Sequence, residues 1–513
     1  MKQISLKEHF IGLSKDSFIY GVGNAMLKIL AVLTIPIFTR IFVPSDYGII
    51  NLITSITYFL SLLLIFGMDS ALQISFFEYK KERKVIVSTV FWFLVVWGLL
   101  LSLICSLTAG WIAKIAFGRS NIFASCCTAG GIHFDGKILF IFAFLTAFFT
   151  LMISIAKTVF RLEFRAKIFA IVAIFQAVIS SVVTIVLVLV MKEDLFGYFL
   201  GLLIGALLAF LMALIFLRKN LVFKVNTARL KEMVVFGSMM VPTSLSFYVF
   251  DLADRFFINK YWSLTELGLY SVAINVTGLI SFFSVAIGQA WSPYVLKLFY
   301  EKKQIFNRFV PRVFIYYLVF FFVLSVLVTF FGRELLQVFT TSPYFGASRA
   351  IGPMALAMTF SASLQMTILG TSITRKTKYL ALFSGLTAAL NIGFNFLLIP
   401  KYGMVGAAWA TAISYLFLTI CYFITSQKFV YLQLDWQKIS KLILLSIAAI
   451  TLGPLTWHLS IRDNLMLKIF EALAYLGLLY LLGIIENHEI KAVKALLVQL
   501  KIFRLKKGSN DNR

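Results

Sequence analysis

The sequence predicts an all-α integral membrane protein of about fourteen transmembrane helices, and three observations carry that prediction. Hydrophobic residues make up 60% of the 513 and charged residues only 13%, whereas soluble domains have about 45–50% and 25%. Apolar runs of membrane length recur along the whole chain, giving a mean hydropathy of +0.93. The 47 Lys+Arg, set against 22 Asp+Glu for a net charge of +25, gather in alternate connections between those runs. So few charges cannot clothe a soluble surface, nor do they suit a disordered chain. Alternation makes the excess an orientation signal and removes nucleic acid as its explanation.

A bilayer core takes about 20 apolar residues per helix, because only internal hydrogen bonds satisfy the backbone there. Such runs lie at approximately 17–39, 47–68, 86–108, 138–156, 168–191, 195–217, 234–257, 267–291, 313–331, 351–372, 379–399, 403–426, 442–459 and 469–485. The seventh and tenth are the most polar. All are continuous and not alternating, which excludes an outer-membrane barrel. Sixteen polar and basic residues precede the first run without a cleavage pattern, so that run is a retained anchor with its N-terminus inside. Inside segments then hold 34 of the 47 basic residues and outside segments 11, with Lys28 and Arg255 in spans. Both termini are expected in the cytoplasm.

The longest connection, 109–137, is expected to be an outer loop; it holds Cys126, Cys127, His133 and Asp135 but no soluble domain. Histidines are scattered without metal-ligand spacing, and no phosphate-binding loop is present to use ATP. No cofactor is expected. Residues 489–507 alternate Lys/Arg with aliphatic residues at helical spacing, as an interfacial helix on an anionic leaflet would.

Weak internal similarity divides the chain. Ser45–Ile50 matches Thr265–Tyr270 at an offset of 220, and Gly197, Gly201 and Gly205 match Gly406, Ala410 and Ser414 at 209. One duplication of six helices fits both offsets, and an even number makes the repeats parallel, about an axis along the membrane normal. The small-residue ladders are expected to serve close helix packing.

The run Leu33–Gly48 (LTIPIFTRIFVPSDYG) resembles the opening signature of the polysaccharide transporter family. Asp254–Ile258 followed by Gly268–Ala273, Gln289–Tyr294, and Asn395–Gly403 with Gly406–Ala408 are similar to further motifs of that family. The resemblance implies the MATE-like multidrug/oligosaccharidyl-lipid/polysaccharide exporter fold: two six-helix bundles around a central cavity, with two added C-terminal helices. Domains would then be 1–217, 218–426, 427–485 for helices 13 and 14, and a basic cytoplasmic tail at 486–513. It also implies a Wzx-type flippase, which moves undecaprenyl-pyrophosphate-linked oligosaccharide of O-antigen, capsule or exopolysaccharide across the bacterial inner membrane by alternating access. Partners would be that lipid-linked glycan, the membrane lipids, and polymerase and chain-length machinery. A cation-coupled drug exporter of the same fold and an integral-membrane polymerase or ligase are the alternatives.

Moving a pyrophosphate and sugars through a membrane calls for cavity cations with hydroxyl and amide groups around them. Charges inside spans are costly unless they are paired or functional. Lys28 lies twelve residues past Asp16, about 18 Å along a helix, too deep to reach the interface comfortably. Lys28, Arg255, Asn24, Asn275 and Gln289 are therefore the substrate-binding candidates. Asp251, Asp254 and Asp69 are candidates for gating or for taking a coupling H⁺ or Na⁺. Asp251 and Arg255, at i,i+4, also suit a local ion pair. Aromatic content, including 54 Phe, reads as lipid-facing bulk. Lys28→Ala is expected to abolish glycan export with the protein still in the membrane, and Lys28→Arg to be milder; surface-glycan immunoblots with membrane fractionation check this.

Overall fold

Within an apolar slab a backbone can satisfy its N–H and C=O groups only inside its own helix, and the computed structural model is accordingly almost all helix. It describes residues 34–117, 127–129, 132–134, 136–191, 194–301, 303–374, 376, 378–453 and 461–484; at some of these, Asp251 and Gln289 among them, the backbone alone is described. Helix α1 covers 34–41. It is followed by α2 (Pro44–Ile65), α3 (Met68–Glu78), α4 (Arg83–Leu107), α5 (Ala109–Phe117), α6 (Lys137–Leu162), α7 (Ala166–Met191), α8 (Asp194–Leu217) and α9 (Thr227–Tyr261). Then come α10 (Leu264–Glu301), α11 (Lys303–Phe330), α12 (Gly332–Phe339), α13 (Ser348–Thr367), α14 (Leu369–Ile373), α15 (Lys378–Phe429), α16 (Trp436–Leu452) and α17 (Ile461–Leu481).

Predicted runs two to twelve and fourteen fall on these helices, as does the thirteenth up to Leu452; residues 17–33 of the first run, 454–459 of the thirteenth and the basic segment 489–507 lie outside the described residues. Among the described residues nine segments are long and apolar enough to cross a membrane, with α15 counted once although it carries runs eleven and twelve. Several edges differ from the hydropathy reading. The second run continues through α3 to Glu78, and the eighth extends to Glu301. Hydropathy registers only the apolar part of a helix, whereas the hydrogen-bond ladder carries on into polar turns. The 109–137 connection is not a bare loop: it contains α5 and an antiparallel hairpin, β1 (Cys127–Ala129) with β2 (Ile132–Phe134), that pairs Thr128 with His133. The fourteenth helix starts at Ile461, so Lys468, expected outside the span, lies within it. Its buried ammonium meets Glu334 of α12 at 2.7 Å, a partner that makes burial tolerable.

Local chemistry sets the breaks. Pro44 at the first position and Asp46, accepting the Val43 N–H at 3.2 Å, start α2. Phe66 and Gly67, successive left-handed residues, separate α2 from α3, and Gly67 lies against the Gly237 backbone of α9. Gly403 (φ 55°) reverses α15 into two antiparallel arms. That reversal is held by Trp262, whose indole donates to the Ile399 carbonyl at 2.8 Å, and by Glu266, which accepts the Met404 N–H at 3.3 Å.

The small-residue ladders pack hairpin partners, as expected. Gly201 and Gly205 of α8 meet Thr184 and Ser180 of α7, while Gly406 meets Leu398 and Ser414 accepts from Asn391 across the α15 arms. The 220-residue offset is also realised in space. A β-carbon on Gly48 would stand 2.0 Å from the Leu264 carbonyl oxygen, and one on Gly268 1.7 Å from that of Pro44. Residues 44 and 264, like 48 and 268, differ by 220, so α2 and α10 cross backbone to backbone about a local pseudo-two-fold. Both helices enter from the same end of the molecule, opposite the Lys/Arg-rich connections. At this far end the Thr341 hydroxyl also donates to the Thr39 carbonyl at 2.9 Å and the Tyr344 hydroxyl to that of Phe42 at 2.7 Å.

Gly268→Val forces these ends apart, and overpacking of this kind costs about 1–3 kcal/mol; thermal unfolding in detergent should shift downward accordingly. Lys468→Met leaves Glu334 half-buried and unpaired, a loss of about 3–5 kcal/mol. Adding Glu334→Leu is expected to recover most of it in the same assay.

Candidate substrate cavity

Helix α9 carries the charged residues of the site, and its consecutive positions face different neighbours. Tyr248, Leu252, Arg255 and Asn259 recur at i, i+4, i+7 and i+11, which places them along one face. That face meets the first half of the chain. The Tyr248 hydroxyl donates to the Ser55 carbonyl at 2.7 Å, Arg255 Nη1 donates to Ser55 Oγ at 3.0 Å, and Asn259 donates to the Ala116 carbonyl at 2.8 Å. Asp254 is turned about 100° away. It is 2% exposed and accepts a short hydrogen bond from the Tyr270 hydroxyl of α10, itself fully buried.

Between these two faces lies a cavity of about 540 Å³. Thr54 and Tyr58 of α2 form one wall. Asp254 and Arg255 of α9, Tyr270, Ser281 and Ser284 of α10, Ser361 and Gln365 of α13, and Thr411 and Tyr415 of α15 supply the other polar groups, interspersed with apolar side chains such as Met354 and Met358. Most of the lining thus comes from the second half, with α2 reaching across. Arg255 Nε is buried with no acceptor among the described residues. A guanidinium presents five N–H donors in a rigid fork, so an anionic guest could take up this unused capacity at once. Hydroxyls and an amide surround it, groups that both donate to and accept from polyols. Measured from Tyr261, Arg255 is six residues, about 9 Å, inside the far end, where a contact between the halves can gate access.

The sequence candidates are distributed unevenly over this site. Asp254 and Arg255 line it together. The Asp251 and Gln289 side chains, and all of Asn24 and Lys28, lie outside the described residues. Asn275 is exposed on α10 and is absent from the lining. Asp69 is half-buried near the start of α3, with Ser70 at 3.5 Å, and is also away from the cavity. Two further in-span amides, Asn391 and Asn395, hydrogen-bond each other at 2.9 Å along one arm of α15, and Asn391 donates across to Ser414 of the other arm, which is packing. Among the described residues no group of His, Cys, Asp or Glu could hold a metal ion.

Not all of the aromatic content is lipid-facing bulk. Tyr58, Tyr270 and Tyr415 line the cavity, and no Phe does among the described residues; Tyr58 stacks on Tyr248 with centroids 5.9 Å apart and planes at 17°. The usable signal was the hydroxyl, since a tyrosine buried in a span has to find a polar partner and a phenylalanine does not. Ser55, which both Tyr248 and Arg255 reach, carried no signal of its own.

Comparison with known proteins adds to this geometry. The chain is 25% identical over 298 residues to an uncharacterized membrane protein of Methanocaldococcus jannaschii, covering 52% of this chain and 56% of that one. It is 25% identical to a probable low-salt glycan biosynthesis flippase of Haloferax volcanii, over 41% of this chain and 46% of the other. With the capsular polysaccharide biosynthesis protein CapF of Staphylococcus aureus the identity is 26%, over 39% and 50%. The chain spans about half the length of each of these relatives. In fold it is similar to the lipid II flippase MurJ in an inward closed conformation (TM-score 0.68, 16% identity, 90% of this chain and 98% of that one). It is also similar to an inward-facing multidrug resistance MATE family transporter (TM-score 0.65, 12% identity, 82% and 95%). The model of the polysaccharide biosynthesis protein family matches residues 37–349, more than half of the chain, and the protein belongs to that family, built on the membrane-transporter fold it shares with MurJ and MATE proteins.

Proposed function

We propose that this protein is a flippase that carries an undecaprenyl-pyrophosphate-linked oligosaccharide across the bacterial inner membrane by alternating access, with both termini in the cytoplasm. The observation that carries the reading is Arg255, a cation on the cavity wall that bridges the halves through Ser55 and keeps a buried N–H without an acceptor. In this reading a pyrophosphate takes that donor and the hydroxyl-lined wall takes the sugars, while the prenyl tail stays in the bilayer. In the same reading Lys28, which lies outside the described residues, is the second cation.

The moving parts are the bundles 1–217 and 218–426, with helices 13 and 14 in 427–485 attached to the second. An incoming phosphate competes with Ser55 for Arg255, so binding weakens a contact that joins the halves. Asp254 with Tyr270 is the place for a coupling H⁺ or Na⁺, beside the cavity and on the same helix as the anion-binding cation. Polymerase and chain-length machinery would take the product. The same carboxylate favours one second reading, export of cationic compounds on a MATE-like scaffold.

Deletion with lipid analysis separates these readings: a flippase mutant accumulates complete lipid-linked units on the cytoplasmic side, whereas outer-side accumulation of single units indicates a polymerase. A drug exporter changes neither pool and alters resistance to cationic compounds. A charge-assisted hydrogen bond contributes about 1.5–3 kcal/mol, so Arg255→Ala is expected to lower flipping in proteoliposomes roughly ten- to hundredfold. Arg255→Lys, which keeps the charge and loses the fork, should fall between. Asp254→Asn is expected to leave substrate binding near normal and to make flipping insensitive to an imposed ion gradient; binding isotherms and gradient-driven assays read the two effects separately.

A further inference from the structure

We propose a second anion site, remote from the cavity: a pocket at the Lys/Arg-rich end of the first half that binds the phosphate headgroup of a membrane lipid. Three connections converge there, the turn between α3 and α4, the turn between α6 and α7, and the 3₁₀ turn after α8 (Arg218–Asn220). They enclose about 610 Å³. Four cations stand around it, Arg83, Lys84, Arg165 and Lys219, with one carboxylate, Glu163. That carboxylate is already engaged: Arg165 Nη1 lies 3.3 Å from Oε2, and the Asn220 amide donates to Oε1. Lys84 and Lys219 are exposed and enter no ion pair among the described residues. Arg83 is held in place by its Nε, which donates to the Phe76 carbonyl at 3.1 Å, and by the Phe76 ring 4.7 Å beneath its guanidinium.

An orientation signal requires basic connections but not their convergence on one concavity with its single acid neutralised from within. The rim is equally specific. Phe164 closes α6 in the left-handed region (φ 57°), a conformation costly for any residue with a β-carbon, and its ring is 61% exposed. Phe77, on the opposite lip, is 46% exposed. Cations at headgroup depth flanked by rings that can enter the acyl region match a phosphodiester lipid, and basic pockets between transmembrane helices bind such headgroups. The phosphate could belong to a resident anionic phospholipid or to a prenyl pyrophosphate before it enters the cavity; the chemistry is shared, and the site does not depend on the transport reading.

The test uses the full chain in phosphatidylcholine bicelles, titrated in one arm with phosphatidylglycerol and in the other with farnesyl pyrophosphate, at fixed ionic strength, following the thermal midpoint. The test variant is Lys84→Gln/Lys219→Gln, at side chains that make no described contact; the control is Lys80→Gln/Lys167→Gln, of equal charge on the same end but outside the pocket. Near a membrane each basic residue contributes about fivefold to anionic-lipid affinity, so the test variant should lose roughly 25-fold in apparent affinity and the control far less. Loss in the phosphatidylglycerol arm identifies a resident lipid, and loss in the pyrophosphate arm identifies a prenyl pyrophosphate. Equal losses in test and control variants, or no loss in either arm, overturn the site and leave only diffuse surface charge.

Discussion

Two glycines, one from each half, bring α2 and α10 into backbone contact, and much of the site's geometry follows from that crossing. Gly48 stands seven residues before Ser55, two turns further along the same helix, while Gly268 stands two residues before Tyr270. Fixing the crossing therefore fixes how far Ser55 lies from Arg255, and it sets the depth at which Tyr270 meets Asp254. Without a hydrophobic drive between helices in lipid, close packing and polar contacts are what hold them together. The absence of a side chain at these two positions is what permits the approach.

Many buried polar groups within the helices are paired, and among the buried atoms left over on described residues Arg255 Nε belongs to the cation on the cavity wall. Asp254 pairs with Tyr270, Lys468 with Glu334 and Asn391 with Ser414 across helices, while Asn395 bonds Asn391 one turn back on the same arm. Each pair removes a desolvation cost, and the Lys468–Glu334 pair also ties together elements 134 residues apart. Arg255 is paired only in part, through Nη1. A buried donor left without an acceptor is unfavourable in an empty protein, and that cost is recovered when an acceptor enters. The pocket near Arg83 applies the same logic at the surface, where one acid has been spent on its neighbours and the cations around it remain available.

Most of the fold was legible because hydropathy and the backbone's need for internal hydrogen bonds act locally. Run positions, the polar character of the seventh run, the Gly ladders and the 220-residue offset are all readable, and Asp254 and Arg255 stand out as charges within a span. Helix ends were less readable, since a helix does not stop where its apolar stretch stops. Ser55 and Tyr248 could not be found, because a serine in an apolar helix usually bonds to its own backbone, and only the facing helix shows that this one also receives Arg255. Grouping tyrosine with phenylalanine hid three lining residues.

By itself the sequence determined a helical membrane protein, its repeat and its charge asymmetry, since periodicity and composition are properties of each segment taken alone. Only the tertiary structure decided that Asp254 and Arg255, adjacent in the chain, meet different partners, one tied to Tyr270 within the second half and the other to Ser55 across to the first. The physical reason is the helical rotation of about 100° per residue, which separates neighbours in sequence, combined with the Gly48–Gly268 contact, which determines what each of them meets.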